Sequence, residues 1–127
     1  MQEQRSGTYR KFLLILFGYN PGSAPDFDVP PHVMEIVDVA IQSLPERFSR
    51  YREVVRYRFG LDDGKERSLS EVGRLIYNKQ TQTYGITGSR AGQIESKALR
   101  ILRHRSRSEP IREAVSTIKE LSDYMHT

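Results

Sequence analysis

Apolar residues recur along most of this chain at intervals of three and four, the spacing that lines one face of an α-helix. Phe12, Leu13, Leu16 and Phe17 predict a first helix over residues 9–18. Residues 19–31 break the pattern with Pro21, Gly22, Ser23, Pro25, Pro30 and Pro31, and read as a linker. Pro31 suits the first turn of the next helix, where its missing N–H is harmless. Val33, Ile36, Val37, Ala40, Ile41 and Leu44 then give an amphipathic helix ending near residues 43–44. Pro45 opens a further helix through Phe48, Tyr51, Val54, Val55 and Phe59, stopped by Gly60 and the turn signal Asp62-Asp63-Gly64.

Ser68 followed three residues later by Glu71 is a capping box, in which each residue satisfies a backbone donor of the other. Val72, Leu75 and Ile76 supply the buried face of that short helix. Residues 77–85 are polar and without an apolar period, so they read as a loop or a frayed helical extension. Thr87 or Ser89 caps the next helix, whose apolar face is Ala91, Ile94, Ala98, Leu99 and Leu102. Ile111, Val115, Ile118 and Leu121 predict a last helix over 108–124. No strand pattern or internal repeat stands out, and the expected fold class is all-α. The expected division is an N-terminal helix and Pro-rich linker over 1–31, then a helix-turn-helix domain over 32–127.

Composition adds little until charge is mapped along the chain. Twenty Lys and Arg against sixteen Asp and Glu give a net charge of +4, a balance many proteins reach without nucleic acid. Residues 13–46, however, hold no Lys or Arg and carry Asp26, Asp28, Glu35, Asp38 and Glu46. Residues 90–112 reverse the sign, with Arg90, Lys97, Arg100, Arg103, Arg105, Arg107 and Arg112 against Glu95 and Glu109. Such a segment suits a surface that tracks phosphates, or a solvated basic face with no partner.

Several chemistries find no support. The absence of cysteine excludes disulfides and thiolate zinc sites and suits a reducing cytoplasm. The apolar run 12–17 after Arg10-Lys11 is too short to span a bilayer and reads as a buried helix rather than a signal peptide. His32, His104 and His126 are far apart and have no ligand partners at metal spacing, and Asp26-x-Asp28 lies in the Pro-rich segment. Residues 88–92 lack the Lys and Ser/Thr that end a phosphate loop. No nucleophile, base and acid set is recognisable, so no enzyme, cofactor, metal or small-molecule substrate is expected.

Two short helices joined by a turn, the second entering on polar and basic residues, have the layout of a helix-turn-helix. The residues go further. Arg52-Glu53-Val54-Val55-Arg56-Tyr57-Arg58-Phe59-Gly60-Leu61 resembles the first helix of region four of bacterial RNA polymerase sigma factors. Ser68-Leu69-Ser70-Glu71-Val72-Gly73 resembles the start of that region's helix-turn-helix. The run from Gln93-Ile94-Glu95-Ser96-Lys97-Ala98 to His104-Arg105-Ser106-Arg107-Ser108 resembles its recognition helix and tail. The resemblance covers roughly residues 44–115.

It implies binding of double-stranded promoter DNA at the upstream element and docking on the flap of the polymerase β subunit. By position, Arg50, Arg58, Arg90 and Lys97 would meet phosphates, and Ser68, Leu69 and Ser70 would lie near the DNA backbone. Gln93, with Ser89, would address base edges, since an amide donates and accepts against adenine in the major groove. Arg100 and Arg103 match positions that meet activators or DNA. Phe59, Leu61 and Leu102 match residues that receive the flap, and plain core is their alternative reading.

Two departures stand out. Where the family's recognition helix begins with charged readers, this chain has Gly88, Ser89 and Gly92. Residues 77–85 lengthen the link between the two helices by about eight residues relative to the family. At 127 residues the chain is too short for a complete sigma factor, and the expectation is a stand-alone region-four-like protein. The competing expectation is an interaction module that binds polymerase or a sigma partner without reading DNA sequence.

Overall fold

The computed structural model describes residues 2–45 and 50–126, with side chains from residue 5 onward. Among the described residues the chain forms seven α-helices and one two-stranded hairpin, an all-α bundle as the periodicity predicts. Helix α1 (Gln2–Leu16) begins earlier than its apolar pattern, because Gln, Glu and Arg continue a helix readily without needing burial. Its Tyr9, Phe12, Leu13, Leu14 and Leu16 are buried. The proline-rich segment that follows is fastened to the body: Phe27 and Val29 join the core, and the Arg10 guanidinium donates to the carbonyls of Pro21, Ala24 and Pro25.

Helix α2 (Pro31–Gln42) starts on its proline and buries Val33, Met34, Val37, Ala40 and Ile41. Helix α3 (Tyr51–Phe59) follows Arg50 at its N-cap, so Pro45 does not open it. The predicted helical residue Phe48 lies outside the described residues. Gly60 ends α3 at φ 66°, and a side chain there would strike the backbone of Lys65.

Helices α4 (Leu69–Leu75) and α5 (Gly88–Arg103) form where the sequence predicts two successive helices. Between them the expected loop is instead a hairpin, β1 (Tyr77–Asn78) pairing antiparallel with β2 (Thr83–Tyr84), Tyr77 opposite Tyr84 and Asn78 opposite Thr83. The single helix expected over 108–124 is two, α6 (Arg105–Val115) and α7 (Lys119–Met125). The break falls where the Ser116 and Thr117 hydroxyls donate back to the Glu113 and Ala114 carbonyls, a local bond that competes with helix continuation.

Helix α5 ties two cores together. Ala98, Leu99 and Leu102 join the larger core with residues of α1, α2, α3, α6 and α7. Ala91 and Ile94 join a smaller one with Val54, Val72 and Ile76, which seats α4. The inner face of one helix thus fixes how α4 and α5 stand on the rest of the chain.

Candidate nucleic-acid interface

The first turns of α4 and α5 are each capped by a side chain. The Ser68 hydroxyl accepts from Glu71 N–H at 3.1 Å, and the Glu71 carboxylate accepts from Ser68 N–H at 2.9 Å, so the capping box forms as predicted. That second bond, chiefly, holds the Glu71 carboxyl below its usual range. Thr87, rather than Ser89, caps α5 by accepting from Arg90 N–H at 3.0 Å. The two helices approach closely because small residues let them. A Cβ on Gly88 would stand 3.0 Å from the Ser70 hydroxyl, and one on Gly92 would stand 3.2 Å from a Leu69 methyl. Gly73 is tighter still, its missing Cβ lying 2.3 Å from the Ile86 carbonyl oxygen.

With Ala91, Ile94, Ala98, Leu99 and Leu102 turned inward, α5 presents Ser89, Gln93, Ser96, Lys97 and Arg100 outward. These positions repeat at helical spacing along one side. Eleven residue steps of about 1.5 Å, from Ser89 to Arg100, make this face about 16 Å long, the rise of roughly five stacked base pairs. Leu69, Ser89, Arg90, Gln93, Lys97 and Arg100 line one shallow trough along it. Glu95, the acidic residue of α5, also lines the trough, but its charge is offset by an ion pair with Arg58 at 2.8 Å. The exposed side is therefore polar and cationic.

The structure distributes the remaining sequence-predicted residues differently. Ser68 and Ser70 are exposed at the start of α4, close to the trough. Arg58 is half-buried, held by Glu95 and by the Arg67 carbonyl, to which it donates at 2.6 Å. Arg50 pairs with Glu53 in the same turn. Arg103 donates to the Leu16 and Ile15 carbonyls at 2.7 and 3.0 Å, so its cation caps the C-terminal end of α1. Phe59, Leu61 and Leu102 are buried in the large core, where Phe12 of α1 meets Phe59 edge to face at 5.1 Å between ring centroids. Sequence reasoning passed over the hairpin between α4 and α5, although Tyr77, Thr81, Thr83 and Tyr84 favour strands.

Comparison with known proteins adds a direct sequence match. RNA polymerase sigma factor SigA of Listeria monocytogenes serovar 1/2a is 50% identical over 64 residues, which is 50% of this chain and 15% of that protein. SigA of Listeria innocua serovar 6a matches with the same identity and coverage. Half of this chain is similar to a sigma factor. No family description matches it, and no solved structure does. The matched stretch spans only 15% of the length of each SigA. No helix among the described residues is long and apolar enough to cross a membrane.

Proposed function

We propose that this chain is a non-enzymatic, DNA-binding transcription protein whose α3–α5 unit is a version of sigma region four, acting with RNA polymerase as an accessory or partial sigma subunit. The observation that carries the reading is the outward face of α5. Ser89, Gln93, Lys97 and Arg100 stand in line on a helix whose acidic residue is tied back to Arg58. The 50% identity to SigA over half of the chain supports the same direction. In this reading Arg90, Lys97 and Arg100 bind phosphates, Gln93 and Ser89 address bases, and Ser68, Leu69 and Ser70 abut the backbone. Arg50, Arg58 and Arg103 hold protein groups in the described arrangement, and reach DNA only by exchanging them. A polymerase β flap reaches Phe59, Leu61 and Leu102 only in a state where α1 has left its seat.

With Gly88 and Gly92 where charged readers would stand, few side chains address bases, and binding is expected to be salt-sensitive with shallow sequence discrimination. Replacing both Lys97 and Arg100 by Ala should weaken binding to all duplexes alike and flatten the salt slope by up to about two units. Gln93→Ala should change sequence preference more than affinity. Mobility-shift titrations at several salt concentrations, with and without polymerase, measure both. Absence of any salt-dependent shift with every duplex, even alongside polymerase, refutes DNA binding. The same two glycines favour a second reading, a polymerase-binding module without base readout. It predicts that polymerase retains the chain while the Gln93→Ala variant behaves as the parent.

A further inference from the structure

The hairpin between α4 and α5 has no part in either core, yet its base is rigidly mounted. Twelve residues, 76–87, separate the two helices, where a helix-turn-helix commonly uses three or four. Gly85 N–H donates to the Ile76 carbonyl at 2.8 Å and Ile86 N–H donates to the Gly73 carbonyl at 2.9 Å. These bonds lock the hairpin base to the last turn of α4, one residue before the Thr87 cap of α5. Its tip is shaped as well. The Asn78 side-chain oxygen accepts from the Gln80 and Thr81 N–H groups, the Thr81 and Thr83 hydroxyls bond each other at 2.8 Å, and Gln82 takes φ 58°. Tyr84 is 72% exposed and meets Tyr77 edge to face.

The chemistry of this projection is one-sided. From residue 72 to residue 94 the chain contains no Asp or Glu, while Arg74, Lys79 and Arg90 are basic. Lys79, Gln80, Thr81 and Gln82 are all exposed, and each carries a donor. A protein partner commonly offers an apolar pocket, and although Tyr84 is exposed on the second strand, residues 79–82 of the tip carry no large apolar side chain to fill one. A row of phosphates fits a cationic, donor-rich tip better. We propose that this hairpin is a second DNA-backbone contact, gripping phosphates beside the stretch that α5 covers, with Lys79 as its charged group and Arg74 at its base. The inference rests on the DNA-binding reading of α5. It adds to that reading a separate element that supplies affinity and register without addressing bases.

The test uses the full chain and duplexes whose binding to the parent is measured first across a salt series. Lys79→Ala should weaken binding several-fold for all sequences alike and flatten the slope of log affinity against log salt by about one unit. Lys79→Glu should weaken it further, and neither should alter sequence preference. A photoreactive phenylalanine analogue at position 84 should crosslink to the duplex. If Lys97→Ala loses affinity while both Lys79 variants keep the parent's affinity and slope, the hairpin proposal is overturned and the α5 reading stands. If polymerase retention falls with Lys79→Glu while DNA binding is unchanged, the hairpin is a protein contact and the proposal is equally overturned. A parent that binds no duplex at any salt concentration overturns the reading of α5 itself.

Discussion

The closest backbone approach in the α4–α5 unit is at Gly73, and replacing it with Ala tests how tightly the two helices are locked. A Cβ there would lie 2.3 Å from the Ile86 carbonyl oxygen and 3.3 Å from the Thr87 carbonyl oxygen. Carbon-to-oxygen contacts settle at about 3.3–3.6 Å, so the first is an overlap of about 1 Å against backbone rather than a mobile side chain. Relief by separation also strains the Ile86 N–H bond to the Gly73 carbonyl, now 2.9 Å. Overpacking of this kind costs about 1–3 kcal/mol and the lost bond about 1 kcal/mol, while Ala returns about 1 kcal/mol of helix propensity. The clash wins by about 1–3 kcal/mol, which for a chain of this size lowers the melting temperature by roughly 5–10 °C. Gly7 provides the control: it lies in α1 with nothing within 4 Å of a built Cβ, so Gly7→Ala should raise stability by about 1 kcal/mol. Thermal melts followed by circular dichroism compare the two. A Gly73→Ala protein as stable as Gly7→Ala would refute the close packing of α4 on the hairpin base.

Phe12→Ala, which removes the ring set against Phe59 in the large core, should cost about 3–5 kcal/mol in urea unfolding, and a loss below about 1 kcal/mol would mean that α1 is not seated there. Ser68→Ala removes the hydroxyl that caps α4 and should cost about 1 kcal/mol by the same measurement, an unchanged midpoint counting against the capping box. Acid should also destabilise the fold. The Asp63 carboxyl is held low chiefly by its bond from the Arg67 guanidinium, and that of Glu71 chiefly by Ser68 N–H, so both contribute stability above their unfolded pKa values and lose it as pH falls through the lower folded ones. Melting temperature should therefore drop below about pH 4, and the Asp63→Asn, Glu71→Gln double variant should show a shallower acid limb; an identical limb would refute the assignment.

Local chemistry made some of this fold legible in the sequence. Ser68 and Glu71 announce the start of α4 because their reciprocal bonds need no distant residue, and the inner face of α5 follows from its period alone. Tertiary pairing decided the remainder. The strands of the hairpin have two residues each, too short for an alternating pattern, and they exist because the ends of α4 and α5 hold their base together. Arg58 and Arg103 look like neighbours of Lys97 and Arg100 in a list of charges. Which cations face outward depends on partners distant in sequence, Glu95 for Arg58 and the carbonyls of Ile15 and Leu16 for Arg103. Gly88 and Gly92, read from sequence as missing charged readers, acquire a positive reason in the fold, since a Cβ at either would crowd Ser70 or Leu69 of α4.

The N-terminal helix links these observations. Residues that the sigma resemblance assigns to a partner, Phe59, Leu61 and Leu102, lie in the core that α1 helps to build, and Arg103 on α5 closes the end of α1. Withdrawing α1 would therefore uncover an apolar surface and release a cation in one step. Both consequences act on the same helix, because Leu102 and Arg103 are consecutive residues in the last turn of α5. The N-terminal part of that helix, which carries Ser89 and Gln93, is supported separately by Ala91 and Ile94 in the smaller core with α3 and α4, whereas Lys97 and Arg100 stand over Ala98 and Leu99 of the larger one. In the proposed function, a partner that displaces α1 would then act on the C-terminal end of α5 while the N-terminal part keeps its own support.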